Sequence, residues 1–431
     1  MVDWEGSKQV FGNGEKEIMS GPVASVLLIG DELLAGDIQD RNGPYFADQL
    51  TNQGFQLQGI RFLPDDVEGI ATAVRESLKD CVLVVVCGGL GPTSDDRTTE
   101  AVGQAVGKPL ILDQEHWERI RKIFSVLRGE EPPPGNEKQA KLPEGADVLL
   151  NEMGTALGYV VRQGKGAVAA LPGPPKENQR MFEGQLLPWL DRNMPDRSRW
   201  ATRVFRVFGL PESEVGHRLR HLEAEYGDLR VSYRFHFPEI LVKLRCGVAS
   251  EDRLDAASAD LRSQLAPHIY NTGEEGLPAV LGYELERQGL RVVTAESCTG
   301  GLVAKLLTDV PGSSSWMERG FVVYSNQAKE ELLGVPKEML EQHGAVSEPV
   351  ALSMLEGALE RSDAQIGLAI TGIAGPGGGT LGRPVGTVWI AWGDRRERYA
   401  ETHQFHWDRE YNRLVSAWAA MHRVYQHILA G

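Results

Sequence analysis

From residue 23 onward, short apolar runs alternate with stretches whose apolar residues recur three or four positions apart. The first kind suits buried strands, as at Val23–Ile29 and 81–87 (CVLVVVC), and the second suits amphipathic helices, as at 43–53 and 66–78. Strand-like text returns at Asp147–Leu149 and 167–171, beyond a Pro-rich loop at 131–135. Strands alternating with helices predict an α/β layer fold. The stretch 203–272 reads differently: strand 203–208, helix 211–226, strands near 231–234 and 239–246, and a helix around 252–265. That is a small α+β unit. A Gly-rich link at 271–276 leads into a second α/β pattern, with helix 279–288, strand 290–295 and helix 301–308. The predicted organisation is a flexible leader over 1–21, an α/β domain over 22–195, an α+β connector over 196–275 and a second α/β domain over 276–431. Both α/β domains are expected to have three layers.

Composition narrows the function. The 431 residues carry 45 basic and 60 acidic side chains, a formal charge of -15, which argues against a nucleic-acid partner and its basic stripe. No apolar run approaches the roughly 18 residues that cross a bilayer, so no membrane partner is expected. The first 20 residues lack the apolar core of a secretory signal. Cys81, Cys87, Cys246 and Cys298 form no CxxC pair, which fits reduced thiols in a cytoplasm. Glycine is in excess: 49 residues, about 11% against about 7% in ordinary chains. Much of the excess sits where apolar runs end.

One such place is Thr294-Ala-Glu-Ser-Cys-Thr-Gly-Gly301, between a strand and a helix. Ser297 could be a nucleophile there, with N–H groups around Thr299, Gly300 and Gly301 stabilising an oxyanion; equally, Ser297 or Thr299 could simply cap the helix. No histidine stands near and no GxSxG elbow appears. Lys329, in Tyr324-Ser-Asn-Gln-Ala-Lys329, is the better candidate base if burial or a neighbouring cation depresses its pKa from about 10.4. Tyr324 could relay or orient the proton. The plainer reading leaves Lys329 on a surface helix and Tyr324 in the core. A further strand, 366–370, runs into Thr371-Gly-Ile-Ala-Gly-Pro-Gly-Gly-Gly379, where main-chain N–H groups of Thr371, Gly372 and Gly375 could receive an anion such as a phosphate.

In the N-terminal half, strand 81–87 runs into Gly88-Gly-Leu-Gly-Pro-Thr-Ser-Asp-Asp96. The third glycine of a dinucleotide fingerprint is missing. Gly88, Gly89 and Gly91 could cradle phosphates while Asp95 and Asp96 hold a divalent cation, Mg²⁺ or similar; the same acids could instead close a turn and cap the helix Thr98–Val106. Asp31 and Glu32, after Val23–Ile29, fall at a neighbouring strand end and could join the metal or lie in a solvated first helical turn.

Five blocks in order, Glu296-Ser-Cys-Thr-Gly-Gly301, Val310-Pro-Gly-Ser-Ser314, Tyr324 to Lys329, Gly344-Ala-Val-Ser-Glu348 and Thr371-Gly-Ile-Ala-Gly-Pro376, resemble the CinA C-terminal domain. That resemblance implies a nicotinamide-mononucleotide amidohydrolase without a cofactor: Ser297 as acyl-forming nucleophile, Lys329 as base, Tyr324 assisting, and a C-terminal arginine, Arg409 in preference to Arg413, helping the site. The N-terminal blocks, with Asn136-Glu-Lys-Gln-Ala140, Asn151-Glu-Met-Gly-Thr-Ala156 and Leu171-Pro-Gly-Pro-Pro175, resemble the CinA N-terminal domain. This implies a molybdopterin-binding-like fold and a metal-dependent ADP-ribose pyrophosphatase; the alternative is a pterin- or nucleotide-binding module without turnover. Departures are Asp31 for Thr, Pro174 for an aliphatic residue, and Leu157 for a Pro, the last expected to alter a loop lining the site. The expected partners are small nucleotides, nicotinamide mononucleotide and ADP-ribose, and a second copy in a homodimer.

Overall fold

The computed structural model describes residues 21–430; nearly all of the expected leader lies outside them. The chain divides into two compact units between Ala201 and Thr202, so the connector shares a unit with the C-terminal domain. The expected boundary at 195/196 falls six residues before this division, in the polar stretch 193–199.

The first unit is built on β1 (Val23–Ile29), β2 (Gln56–Leu63), β3 (Leu83–Cys87), a small β4 (Leu110–Leu112) and β5 (Lys141–Pro143) pair, β6 (Asp147–Leu149), β7 (Gly158–Gln163) and β8 (Gly166–Leu171). The main sheet has the order β2-β1-β3-β8-β7-β6. Its first four strands are parallel, β7 runs antiparallel to β8, and β6 runs antiparallel to β7. The alternation along each strand explains the layers. Leu27, Ile29, Val84 and Val86 face helices Val67–Asp80 and Thr98–Val106, while Val26, Leu28, Leu83 and Val85 face helix Asn42–Asn52 and the helical run from Pro175 to Asn193. A strand buried on both sides must be apolar throughout, which is why 81–87 is an unbroken apolar run.

The second unit opens with the connector sheet, β9 (Trp200–Phe208), β10 (Arg230–His236), β11 (Glu239–Gly247) and β12 (Ile269–Thr272), in the order β10-β11-β9-β12. The single helix expected over 211–226 is two pieces, Glu212–Leu219 and Leu222–Glu225. Inside this unit Glu239 is buried and accepts from the Arg206 guanidinium at 2.6 Å and from the Tyr270 phenol. Arg206 also donates to the carbonyls of Gly273 and Glu274, fastening the Gly-rich link to the sheet.

The C-terminal sheet contains β13 (Val292–Glu296), β14 (Met317–Val322), β15 (Ile366–Gly372), β16 (Thr387–Gly393) and β17 (Arg398–Gln404), ordered β14-β13-β15-β16-β17. β14, β13 and β15 are parallel and the rest antiparallel. Val292, Leu368 and Ile390 face helices Leu277–Gln288, Leu302–Thr308 and Arg409–Ala430; Val293, Ala295 and Ala369 face helices Asn326–Leu333 and Glu348–Glu360. This too is a three-layer α/β arrangement.

Gly357 sets the spacing of the second face. A Cβ there would stand 1.9 Å from the Leu333 carbonyl oxygen, at the end of the helix that carries Lys329. Gly357→Ala should therefore force the two helices apart and cost about 1–3 kcal/mol, the usual range for overpacking. Thermal unfolding of the variant checks this: a lowered Tm is expected, and an unchanged Tm would show that the helices shift freely.

Candidate functional site

Register places the C-terminal site. Glu296 pairs across the sheet with Val322 on one side and Ile370 on the other, so all three parallel strands end at one level. Beyond these ends α/β sheets form their ligand crevices. Ser297 is the first residue past β13, with its N–H donating to the Ile370 carbonyl at 3.0 Å. Lys329 approaches from helix Asn326–Leu333, whose start is capped by the Ser325 hydroxyl accepting from the Ala328 N–H at 3.0 Å. Lys329 Nζ stands 3.1 Å from Ser297 Oγ. Its other hydrogen-bond partners are the carbonyls of Val323 at 2.9 Å and Tyr324 at 3.2 Å.

Lys329 is 1% exposed and, among the described residues, has no ion pair. Neutral carbonyls compensate an ammonium poorly for lost hydration, so burial brings its pKa down from 10.5 to about 8. The nearby Cys298 thiol is pushed up to about 12 by burial, which keeps it protonated and a poor rival nucleophile.

Helix capping falls to Glu296, a residue to which the sequence reading gave no role. Its buried carboxylate accepts from the N–H groups of Val303 at 3.0 Å and Ala304 at 2.9 Å, in the first turn of helix Leu302–Thr308. Ser297 is thus released from capping, and the Thr299 hydroxyl is buried without a partner among the described residues. The signal lay in the spacing: a carboxylate just ahead of a Gly-Gly turn can reach back over the new helix start.

Of the two readings of Tyr324, the one that put it in the core does not hold. Its side chain is 64% exposed, and its hydrogen bond to Lys329 is made by the main-chain carbonyl, which comes with the turn between strand and helix. Both candidate arginines hold loops of the site. Arg409 is exposed and donates to the Gly375 carbonyl at 2.8 Å, whereas Arg413 is half-buried and donates to the Thr299 carbonyl at 2.7 Å. One helical turn separates the two residues, so one helix start holds both the glycine loop and the nucleophile loop. Between them the buried Asn412 side chain donates to the carbonyls of Ala374 and Trp407. Thr371 is buried, its hydroxyl donating to the Ala345 carbonyl at 2.7 Å, which draws the 344–348 block to the same strand ends. Gly372 and Gly375 have no room for a Cβ, which would meet Val388 and Val385 at 2.7 and 2.6 Å. The 310–314 block serves packing instead, with Gly312 against the buried Trp316.

The N-terminal cleft, about 710 Å³, lies at the ends of β1, β3 and β8. Gly88, Gly89 and Gly91 line it as expected loop residues. Gly88 has φ +106°, and a Cβ there would stand 2.3 Å from the Ile29 carbonyl oxygen, so only glycine permits this approach of two loops. Of the four acids assigned to metal, Glu32 and Asp96 line the cleft and Asp31 and Asp95 do not. Asp96 accepts from the Thr93 N–H at 2.9 Å and from its hydroxyl, closing the turn; helix Thr98–Val106 starts at Arg97 without a side-chain cap. The Asp31 N–H donates to the Asp65 carboxylate at 3.1 Å. Asp65, missed in the sequence, titrates above the usual carboxylate range because it is partly buried and faces the charges of Asp31, Glu32 and Asp95, against a hydrogen bond from the Asp31 main chain. Among the described residues these acids form no convergent set of three. Glu32 and Asp96 beside a glycine cradle do fit the pattern of a Mg²⁺ held by two carboxylates and the ligand's own phosphate oxygens.

Gln139 and Glu177 complete the cleft wall. Gln139 is 5% exposed, bonds the Thr155 hydroxyl through its nitrogen and, among the described residues, has no partner for its oxygen. Leu157 is buried in the core, and its N–H donates to the Gln139 carbonyl, a bond that a proline could not make.

Fold and sites together define a protein of two α/β units, with a buried serine–lysine pair at the strand ends of one and a glycine-lined acidic cleft at those of the other. Residues 274–428 match the CinA C-terminal domain, and residues 25–192 match the family described as "Probable molybdopterin binding domain". A CinA-like protein of Syntrophus aciditrophicus is 41% identical over 413 residues, covering 94% of this chain and 98% of its own length. One of Geobacter sulfurreducens is 40% identical over 403 residues, covering 92% and 97%. The chain belongs to the CinA family. Among solved structures, the competence/damage inducible protein CihA of Agrobacterium tumefaciens is 42% identical over 35% of this chain and 94% of its own, with a TM-score of 0.34. No helix among the described residues is long and apolar enough to cross a membrane.

Glu296→Ala should leave two helix-start N–H groups unmet, the buried one of Val303 at about 1–3 kcal/mol and the half-buried one of Ala304 at less. Calorimetric melting should show a lower Tm for Glu296→Ala than for Glu296→Gln, whose amide oxygen still accepts. Equal melting of both variants with the parent would contradict the capping role.

Proposed function

We propose that the C-terminal domain hydrolyses the carboxamide of nicotinamide mononucleotide, giving the nicotinate nucleotide and ammonia. The observation that carries this reading is the 3.1 Å approach of Lys329 Nζ to Ser297 Oγ in a place that leaves the lysine without a counter-charge. With a pKa of about 8, about one lysine in ten is neutral at pH 7, against about one in three thousand at pKa 10.5. The neutral amine takes the Ser297 proton as Oγ attacks the carboxamide carbon. The resulting oxyanion faces the main chain of the 298–301 turn, which Arg413 holds through the Thr299 carbonyl. As the tetrahedral intermediate collapses, the Lys329 ammonium returns the proton to the leaving nitrogen. Water then attacks the acyl-serine, Lys329 takes its proton, and Ser297 regains it. The choice of nicotinamide mononucleotide rests on the five-block resemblance, and the glycine loop at 371–379 is the place for its 5′-phosphate.

For the N-terminal domain the same reading gives cleavage of ADP-ribose at its diphosphate. The cleft size, the glycine cradle and the two acids support it. A divalent cation held by Glu32, Asp96 and the diphosphate would neutralise charge developing on the phosphates. A second reading, nucleotide or pterin binding without turnover, is favoured by the lack of a convergent acid trio among the described residues.

Ammonia release from nicotinamide mononucleotide should vanish in Ser297→Ala and persist in EDTA. Its kcat/KM should rise with pH through about 8 and then level, because the base works only after losing its proton. Full release by Ser297→Ala would overturn the nucleophile assignment. For the other half, Glu32→Gln and Asp96→Asn should each lower AMP production from ADP-ribose by at least tenfold. Retained binding of ADP-ribose by the parent with no AMP formed in Mg²⁺ would decide for the second reading.

A further inference from the structure

A pocket of about 480 Å³ lies inside the second unit, where the connector sheet meets the C-terminal domain, and the reaction described above makes no use of it. Phe208, Phe235 and Phe237 supply its connector side; Phe405, Trp407 and the helix Arg409–Ala430 supply the other. The rings are already arranged for contact with one another: Phe237 stands edge-on to Trp407 with centroids 5.2 Å apart, and Phe208 edge-on to His422 at 5.3 Å. A volume in this range suits a small molecule, and ligand pockets favour seams between domains.

The polar groups decide which kind of molecule. His422 is 7% exposed and lines the pocket, and its ring makes no hydrogen bond among the described residues. Burial, with the Arg423 charge, brings its pKa down to about 4, so at neutral pH it offers one N–H donor and one nitrogen acceptor. Arg423 cannot serve an anion, because both Glu401 oxygens hold its guanidinium, at 2.6 and 2.7 Å. His403 adds a contact to the same carboxylate at 2.7 Å. Two further lining groups are partly engaged: His268 bonds the Phe208 carbonyl through Nδ1 at 3.1 Å, and Gln426 accepts from Arg423 at 2.9 Å. The pocket therefore has aromatic walls, one ring with both nitrogens uncommitted, and a guanidinium already paired.

We propose that this pocket is a second ligand site that takes a neutral, planar heteroaromatic ring such as the base of a nucleoside, stacked on the aromatic wall and hydrogen-bonded to His422. Stacking requires only a π face, and a buried imidazole without a partner gains most from a ligand that supplies both a donor and an acceptor. A phosphate on the ligand gains nothing here, since the one guanidinium is already paired.

Isothermal titration of the full chain with adenosine tests the proposal. Saturable binding is expected, no weaker than that of adenosine 5′-monophosphate at the same site. His422→Leu and Phe235→Ala should each weaken it at least tenfold, while Ser297→Ala and Asp96→Asn leave it unchanged. Phe235 is 52% exposed, so its truncation leaves the fold intact and keeps the test valid if His422→Leu fails to fold. No saturable binding up to millimolar adenosine would overturn the proposal. So would an affinity unchanged by Phe235→Ala, or one abolished by Ser297→Ala or Asp96→Asn, which would assign the binding to a cleft already described.

Discussion

The C-terminal site depends on one desolvated amine. Lys329 is inside the protein with three oxygen partners, none of them a carboxylate. A carboxylate in that shell would stabilise the ammonium and raise its pKa, removing the base. The neighbouring acid is kept from that role by geometry. Glu296 is fully buried one residue from Ser297, yet its two oxygens are committed to the start of helix Leu302–Thr308. Capping the helix and leaving the lysine unpaired are thus one structural decision.

The surrounding elements maintain this arrangement. Gly357 lets helix Glu348–Glu360 press against the end of the helix that carries Lys329, and strand register brings Ser297 level with the 371–376 loop. Helix Arg409–Ala430 then ties both loops together through Arg409, Asn412 and Arg413. The N-terminal half uses the same device differently. Glycines again let loops meet at parallel strand ends, but the groups placed there are carboxylates, the residue type that can hold a cation beside a phosphate.

Much of this was legible in the residues. Apolar runs marked β1, β3 and β13 because strands covered on both faces have no polar alternation to blur them. Ser297 and Lys329 were legible because a glycine-rich strand end and a lysine after a strand are local patterns. Long-range contacts were not. Arg413 rather than Arg409 reaches the nucleophile loop because of how a distant helix is rotated, and spacing along the chain does not encode that rotation. For Tyr324 the choice between core and surface was not legible, because an aromatic residue in a loop carries no sign of which way it points. Asp65 joins Asp31 from 34 positions away, which no motif records. The connector had no assigned role in the sequence, since its aromatic residues take on meaning only beside Trp407 and His422.

The central claim, an uncharged Lys329 within reach of physiological pH, can be measured without any substrate. In the full chain labelled with ¹³C at lysine Cε, the Lys329 resonance is identified by its absence in Lys329→Arg and followed by NMR as pH rises. The account predicts a midpoint near 8 for this one resonance. A midpoint near 10.5, the value of an exposed lysine, would contradict it.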